Sequence, residues 1–148
     1  MPVRRLTPAD WSDLWPLVQG FGTDQTESDA GDIYAELLAD QRWLILGYAE
    51  PGGRLIGYAA AQNYGPHLRA GRRNQGRLHD LYVHPTKRST GVGRALVAAV
   101  VEWAEGQVRW LEWQAHEDRA APFYERLGYR GVRCPQPEYP TFEIDFGA

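Results

Sequence analysis

The stretch from Leu78 to Arg94 constrains this chain more than any other. It reads Leu-His-Asp-Leu-Tyr-Val-His-Pro-Thr-Lys-Arg-Ser-Thr-Gly-Val-Gly-Arg and leads directly into an apolar helical pattern. This order predicts a strand from Leu78 to Val83, a turn broken by Pro85, and a basic, glycine-bearing loop that opens a helix. Such a junction suits an anion. The first N–H groups of a helix have no partner inside it and carry the positive end of its dipole. Gly91 and Gly93 let the backbone approach a phosphate without a Cβ in the way. Arg88 and Arg94 bracket the loop and can add charge-assisted hydrogen bonds. A phosphate-bearing ligand is therefore the first expectation.

The 148 residues fit a single domain, 1–148, with room for a sizeable core. Hydrophobic content of 43% and charged content of 24% are those of a soluble globular protein. A net charge of −3 argues against nucleic acid as a partner. Cys134 is the only cysteine, so an internal disulfide is excluded and nothing points to an oxidising compartment. No base is paired with it, and it reads as a small buried hydrophobe. The N-terminus lacks an apolar signal core, and the longest apolar run, Ala95 to Val101, is too short for a bilayer. A cytoplasmic location with no membrane partner is the resulting expectation.

The rest of the chain alternates strand and helix signals. Val3 to Leu6 predicts a first strand, with Thr7 or Asp10 capping a helix over Pro8 to Gln19 in which Pro16 can form a kink. Asp24 to Asp40 is acidic throughout, and Ile33, Tyr34, Leu37 and Leu38 give it one apolar helical face. Trp43 to Ala49 and Leu55 to Ala61 flank Pro51-Gly52-Gly53, a hairpin with strands covered on both faces. Gln62 to Gly76 is a long connection of the kind that often carries function. Val92, Leu96, Val100 and Trp103 form the buried stripe of a helix stopped by Gly106. Val108 to Ala115 reads as a strand, Ala120 to Leu127 as a helix, and Tyr129 to Val132 and Phe142 to Phe146 as two more strands. The class is α/β.

Two familiar phosphate loops fail the pattern. A Walker loop ends in Gly-Lys-Ser/Thr, but Gly93 is followed by Arg94 and Ala95. A dinucleotide fingerprint needs a small residue where Leu96 stands, and it opens the first βαβ unit rather than lying past mid-chain. Arg88-Ser89-Thr90-Gly91-Val92-Gly93 instead resembles the Gln/Arg-x-x-Gly-x-Gly/Ala pyrophosphate loop of the GNAT superfamily of N-acetyltransferases. Leu81-Tyr82-Val83-His84-Pro85 is similar to the end of that fold's fourth strand. Ala120 to Tyr129 is similar to the family's second motif, Ala-x-x-Phe-Tyr-x-x-x-Gly-Phe. The motifs occur in order, one helix and one strand apart.

The resemblance implies a mixed central sheet of about six to seven strands flanked by about four helices. It implies acetyl-CoA as cosubstrate, with no metal. The pyrophosphate would rest on Arg88, Ser89, Thr90, Gly91, Val92, Gly93 and Arg94. The pantetheine arm would lie along Leu81, Tyr82 and Val83, where the Val83 N–H would polarise the thioester carbonyl. Further cofactor contacts would come from Ala120, Phe123 and the position of Glu117, where relatives carry asparagine. Tyr124 matches the family's general acid, against a plain packing role. Two candidates stand for the base. His79 occupies a position that is glutamate in some relatives and titrates near neutrality. Asp80, predicted by alternation to face the other side of the sheet, is the second. Glu112, Glu117 and a relayed water are weaker options.

The implied activity is direct acetyl transfer from acetyl-CoA to a primary amine, with a small-molecule amine as partner. A protein N-terminus or lysine is the alternative acceptor, and a non-catalytic acyl-CoA sensor is the alternative class. A homodimer is the family's common habit. The acidic segment reads as a solvated helix face or as a field drawing in a cationic amine. Arg69, Arg72 and Arg73 read as exposed loop charges or as contacts to the 3′-phosphate of CoA.

Overall fold

The Pro51-Gly52-Gly53 turn joins β2 (Trp43–Ala49) to β3 (Leu55–Asn63), and this hairpin is the middle of the sheet. The computed structural model describes residues 2–115, 117–132, 138–140 and 142–147, so Cys134 lies outside the described residues. The chain divides into two units, Met1–Trp113 and Gln114–Ala148.

In the first unit, β1 (Val3–Arg5), β2, β3, β4 (Gln75–Val83) and β5 (Trp110–Glu112) form one sheet in sequence order. The first four strands pair antiparallel, and β4 pairs parallel with β5, so the sheet is mixed. The β4–β5 ladder covers only Gln75–Arg77 against Trp110–Glu112. From Leu78 to Val83, β4 therefore has β3 on one side and an open edge on the other among the described residues. The sheet has both faces covered, as the apolar runs predict. Helix α3 (Val92–Glu105) packs on one face, where Leu96, Val97 and Val100 are fully buried. Each such side chain contributes about 1.5–3 kcal/mol. Gly57 permits this close approach: a Cβ there would lie 3.0 Å from Val92 Cγ1 and 3.2 Å from Leu96 Cδ1.

The opposite face carries α1 (Trp11–Phe21) and α2 (Glu27–Ala39). A short 3-10 turn, Pro8–Asp10, precedes α1, and Pro16 lies inside that helix. The Asp10 carboxylate accepts from the Thr7 N–H at 2.7 Å and pairs with the Arg4 guanidinium at 2.8 Å. Trp11 stacks on Tyr34 at 5.1 Å, and the Tyr34 hydroxyl donates to the Thr7 carbonyl at 2.6 Å. Of the four apolar positions expected to bury α2, Tyr34 is buried, Leu37 and Leu38 are half-buried, and Ile33 is exposed. Asp24, Glu27, Asp29, Asp32 and Glu36 face solvent. No helix among the described residues is long and apolar enough to cross a membrane.

The second unit holds α4 (Ala121–Arg126), begun by Pro122 and followed by Gly128 at φ 99°. Among the described residues the expected sheet of six to seven strands is corrected to five, with four helices. Tyr129 to Val132 and the described part of Phe142 to Phe146 are not strands. Phe142, Ile144 and Phe146 are exposed. Period-two alternation reports which way side chains point, whereas a strand exists only where a neighbour completes its ladder. The strand predicted over Val108 to Ala115 is likewise shortened to Trp110–Glu112.

Candidate active site

The loop between β4 and α3 is built to leave donors unpaired. Pro85–Lys87 forms a 3-10 turn capped by the His84 side chain. Ser89 then takes φ 64°, and Gly91 takes φ 92° as the N-cap of α3. This irregular path breaks local pairing. Backbone bonding resumes only where the Ala95 N–H donates to the Gly91 carbonyl. From Arg88 through Arg94 no backbone N–H has an acceptor among the described residues. Successive unpaired N–H groups at a helix start form an anion cradle. A pyrophosphate fits this loop.

The open edge of β4 adjoins the cradle. The His84 N–H donates to the Ile56 carbonyl on β3. Backbone groups in an antiparallel ladder alternate sides, so the Leu81 and Val83 N–H groups point to the open edge, while those of Tyr82 face β3. The Val83 carbonyl accepts from Arg88 Nε at 3.1 Å, and the Arg88 guanidinium lies 5.4 Å from the Tyr82 ring. Arg88 thus ties the loop to the end of the strand. Tyr82 packs under Phe21 of α1, and its ring lies where a Cβ on Gly20 would be.

A β-bulge shapes the next part. Ala60 pairs with Asp80 and Ala61 with Leu78, so His79 is left over. Leu78, Leu81 and Val83 all pack with the α3 core, although strict alternation would separate Leu78 from Leu81. His79 and Asp80 consequently share the α1/α2 face, which corrects the expectation of opposite faces. His79 stacks on Trp43 at 4.9 Å and 18°, and its Nε2 lies 3.0 Å from Gln62 Oε1. Desolvation of the ring, helped by Arg77, holds its pKa below the ordinary histidine value, against a smaller opposing effect of Asp80. Asp80 accepts from the buried Tyr58 hydroxyl at 2.9 Å, and desolvation together with the Asp80 charge raises the Tyr58 pKa.

In the second unit, Tyr124 stands on α4 with its ring edge-on to Phe123 at 5.1 Å. Burial pushes its pKa up to about 12, so it keeps its proton at neutral pH. Ala120 is the N-cap position of α4, and Glu117 lies in the turn before it.

The profile of the acetyltransferase (GNAT) family matches residues 9–129. The chain belongs to the GNAT family. Among curated relatives, it is 31% identical over 81 residues to glucosamine 6-phosphate N-acetyltransferase of Trypanosoma brucei brucei, covering 55% of this chain and 54% of that one. It is 31% identical over 99 residues to N-alpha-acetyltransferase RimI of Mycobacterium tuberculosis, covering 66% and 59%. The chain thus spans little more than half the length of the curated relatives it matches. A solved acetyltransferase of Trypanosoma brucei superposes with a TM-score of 0.76 at 22% identity, covering 97% of this chain and 98% of that one, which shows a shared fold.

Within this GNAT chain the first unit brings together the cradle, the open strand edge and the His79–Asp80 pair. Other residues were not visible to sequence reasoning. Trp43, Tyr58 and Gln62 read as strand and loop positions, and no local pattern announces a bulge that draws three strands to one histidine. Arg73, read as an exposed charge or phosphate contact, donates to the Glu105 and Val108 carbonyls at 3.1 Å each. Helix α3 ends at Glu105 with Gly106 as its C-cap, as expected, but Gly106 keeps a right-handed conformation, and Arg73 satisfies the Glu105 carbonyl.

Proposed function

We propose that the chain is an acetyl-CoA-dependent N-acetyltransferase that moves an acetyl group directly to a primary amine of a small molecule, working in the cytoplasm as one domain, 1–148. The run of unpaired N–H groups from Arg88 through Arg94 carries this reading. The cradle holds the pyrophosphate, and Leu81, Tyr82 and Val83 guide the pantetheine arm along the open edge of β4. The Val83 N–H donates to the thioester oxygen and stabilises the charge that develops there. Either His79 or Asp80 takes a proton from the acceptor ammonium, and Tyr124 gives its phenolic proton to the departing sulfur.

The test is thiol release from acetyl-CoA across a panel of amino sugars, polyamines, aminoglycosides and peptides with free N-termini. Turnover with a small amine is expected. Tight CoA binding without turnover on any acceptor would leave a sensor in place of an enzyme. The similarity to an N-alpha-acetyltransferase favours a protein N-terminus as the second acceptor reading, and turnover confined to the peptides would select it.

A further inference from the structure

The bulge in β4 puts the side chains of two consecutive residues, His79 and Asp80, on one face of the sheet, and each is served from β3 by a different neutral side chain. Tyr58 donates to Asp80 Oδ2 at 2.9 Å, which leaves Oδ1 without a donor among the described residues. Gln62 meets His79 Nε2 at 3.0 Å, which leaves Nδ1 without a partner among the described residues. A hydroxyl donor favours the ionised form of a carboxylate. A carbonyl acceptor on Nε2 places the imidazole proton there and leaves the Nδ1 lone pair open. The two neighbours are thus served differently: one carboxylate oxygen of Asp80 and the Nδ1 lone pair of His79 stay open.

We propose that Tyr58 and Gln62 are positioning residues that divide the work: Asp80 Oδ1 holds the acceptor as an ammonium ion, and His79 Nδ1 removes its proton. This rests on the acetyltransferase reading and narrows its acceptor to an amine that arrives protonated. In the step, one N–H bond of the ammonium breaks and an Nδ1–H bond forms, giving an imidazolium and an amine with a free lone pair. Asp80 stays a carboxylate throughout. The amine lone pair then attacks the thioester carbon, and the C–S bond breaks. Nitrogen loses its second proton as the departing sulfur gains one, giving amide and free thiol, and the imidazolium returns its proton to solvent.

The groups acting on His79 are few. Arg77 opposes its protonation and Asp80 favours it, both from β4. From β2 it meets the Trp43 ring, and from β3 and the following loop it meets Gln62 and Tyr64, all uncharged. Arg42, one residue before Trp43, is 3.7 Å from Asp40. No charged group on α1 or α2 acts on the ring among the described residues.

Nitrogen-15 NMR of the imidazole in the full chain reads the assignment without turnover. The expected signal is a protonated Nε2 and an unprotonated Nδ1 above the titration. Gln62→Glu, by placing a carboxylate against Nε2, should raise the His79 titration and the acid limb of kcat/KM together, by about one pH unit. Gln62→Leu, which keeps the bulk, should release the tautomer preference. Tyr58→Phe should raise KM for the amine more than it lowers kcat. A proton found on Nδ1 in the wild type, or an acid limb that stays fixed while the Gln62→Glu imidazole titration moves, would overturn the proposal. If no amine is acetylated but the tautomer and its shift are as stated, the positioning stands and the enzyme reading falls.

Discussion

Tyr124 and Asp10 show how one side chain's surroundings become measurable. Burial holds the Tyr124 phenol at a pKa of about 12, so at neutral pH it has a proton to give. Tyr124→Phe keeps the ring and removes that proton. Turnover should fall by roughly a hundredfold, while CoA affinity measured by calorimetry stays unchanged; unaltered turnover would remove Tyr124 from the mechanism. Asp10 works on stability instead. The Arg4 hydrogen bond, reinforced by the Thr7 N–H, lowers its pKa from 3.8 to about 2 despite burial. Because the folded value is the depressed one, its contribution is complete above 3.8 and disappears as pH falls through about 2. Asp10→Asn should cost about 1–2 kcal/mol at pH 7 in urea titrations, and the gap from wild type should close over that acid window.

At the scale of elements, the junction of β4 with α3 and the seating of α3 on β3 carry separate predictions. Gly91 has φ 92°, with open space where a Cβ would point. Gly91→Asp therefore strains the backbone and sets a negative charge at the anion cradle. CoA at about a hundred times its Kd should stabilise the wild type by about 2.7 kcal/mol and leave this variant's melting temperature unmoved. An equal shift in both would show that CoA does not use the loop. Gly57 is constrained by packing: its Cβ would also meet the Tyr82 carbonyl at 3.2 Å. Gly57→Val should cost about 1–3 kcal/mol, read by chemical denaturation. Both glycines were visible in the sequence, but only Gly91 announced its reason. A motif names a loop, whereas a close approach between a strand and a helix depends on residues dozens of positions apart.

Over the molecule as a whole, the hairpin, the amphipathic stripe of α3 and the glycine loop were legible because each is written in contiguous residues. The extent of β5 and the ends of the sheet were not, since alternation in Phe142, Ile144 and Phe146 says nothing of a pairing partner. His79 and Asp80 were legible as candidates and misread in direction, because a bulge is a relation between two strands. That relation has one more consequence. Leu78 and Asp80 face the paired residues Ala61 and Ala60 with His79 looped out between them. Excising His79 would join them into an unbroken ladder, with Leu78, Leu81 and Val83 still toward α3 and Tyr82 still toward α1. The shortened chain should melt at or above the wild-type temperature and, on the proposed mechanism, lack the acetyl transfer expected of the full chain. To the architecture this histidine is a surplus residue, and a single-codon deletion would separate what the fold requires from what the chemistry does.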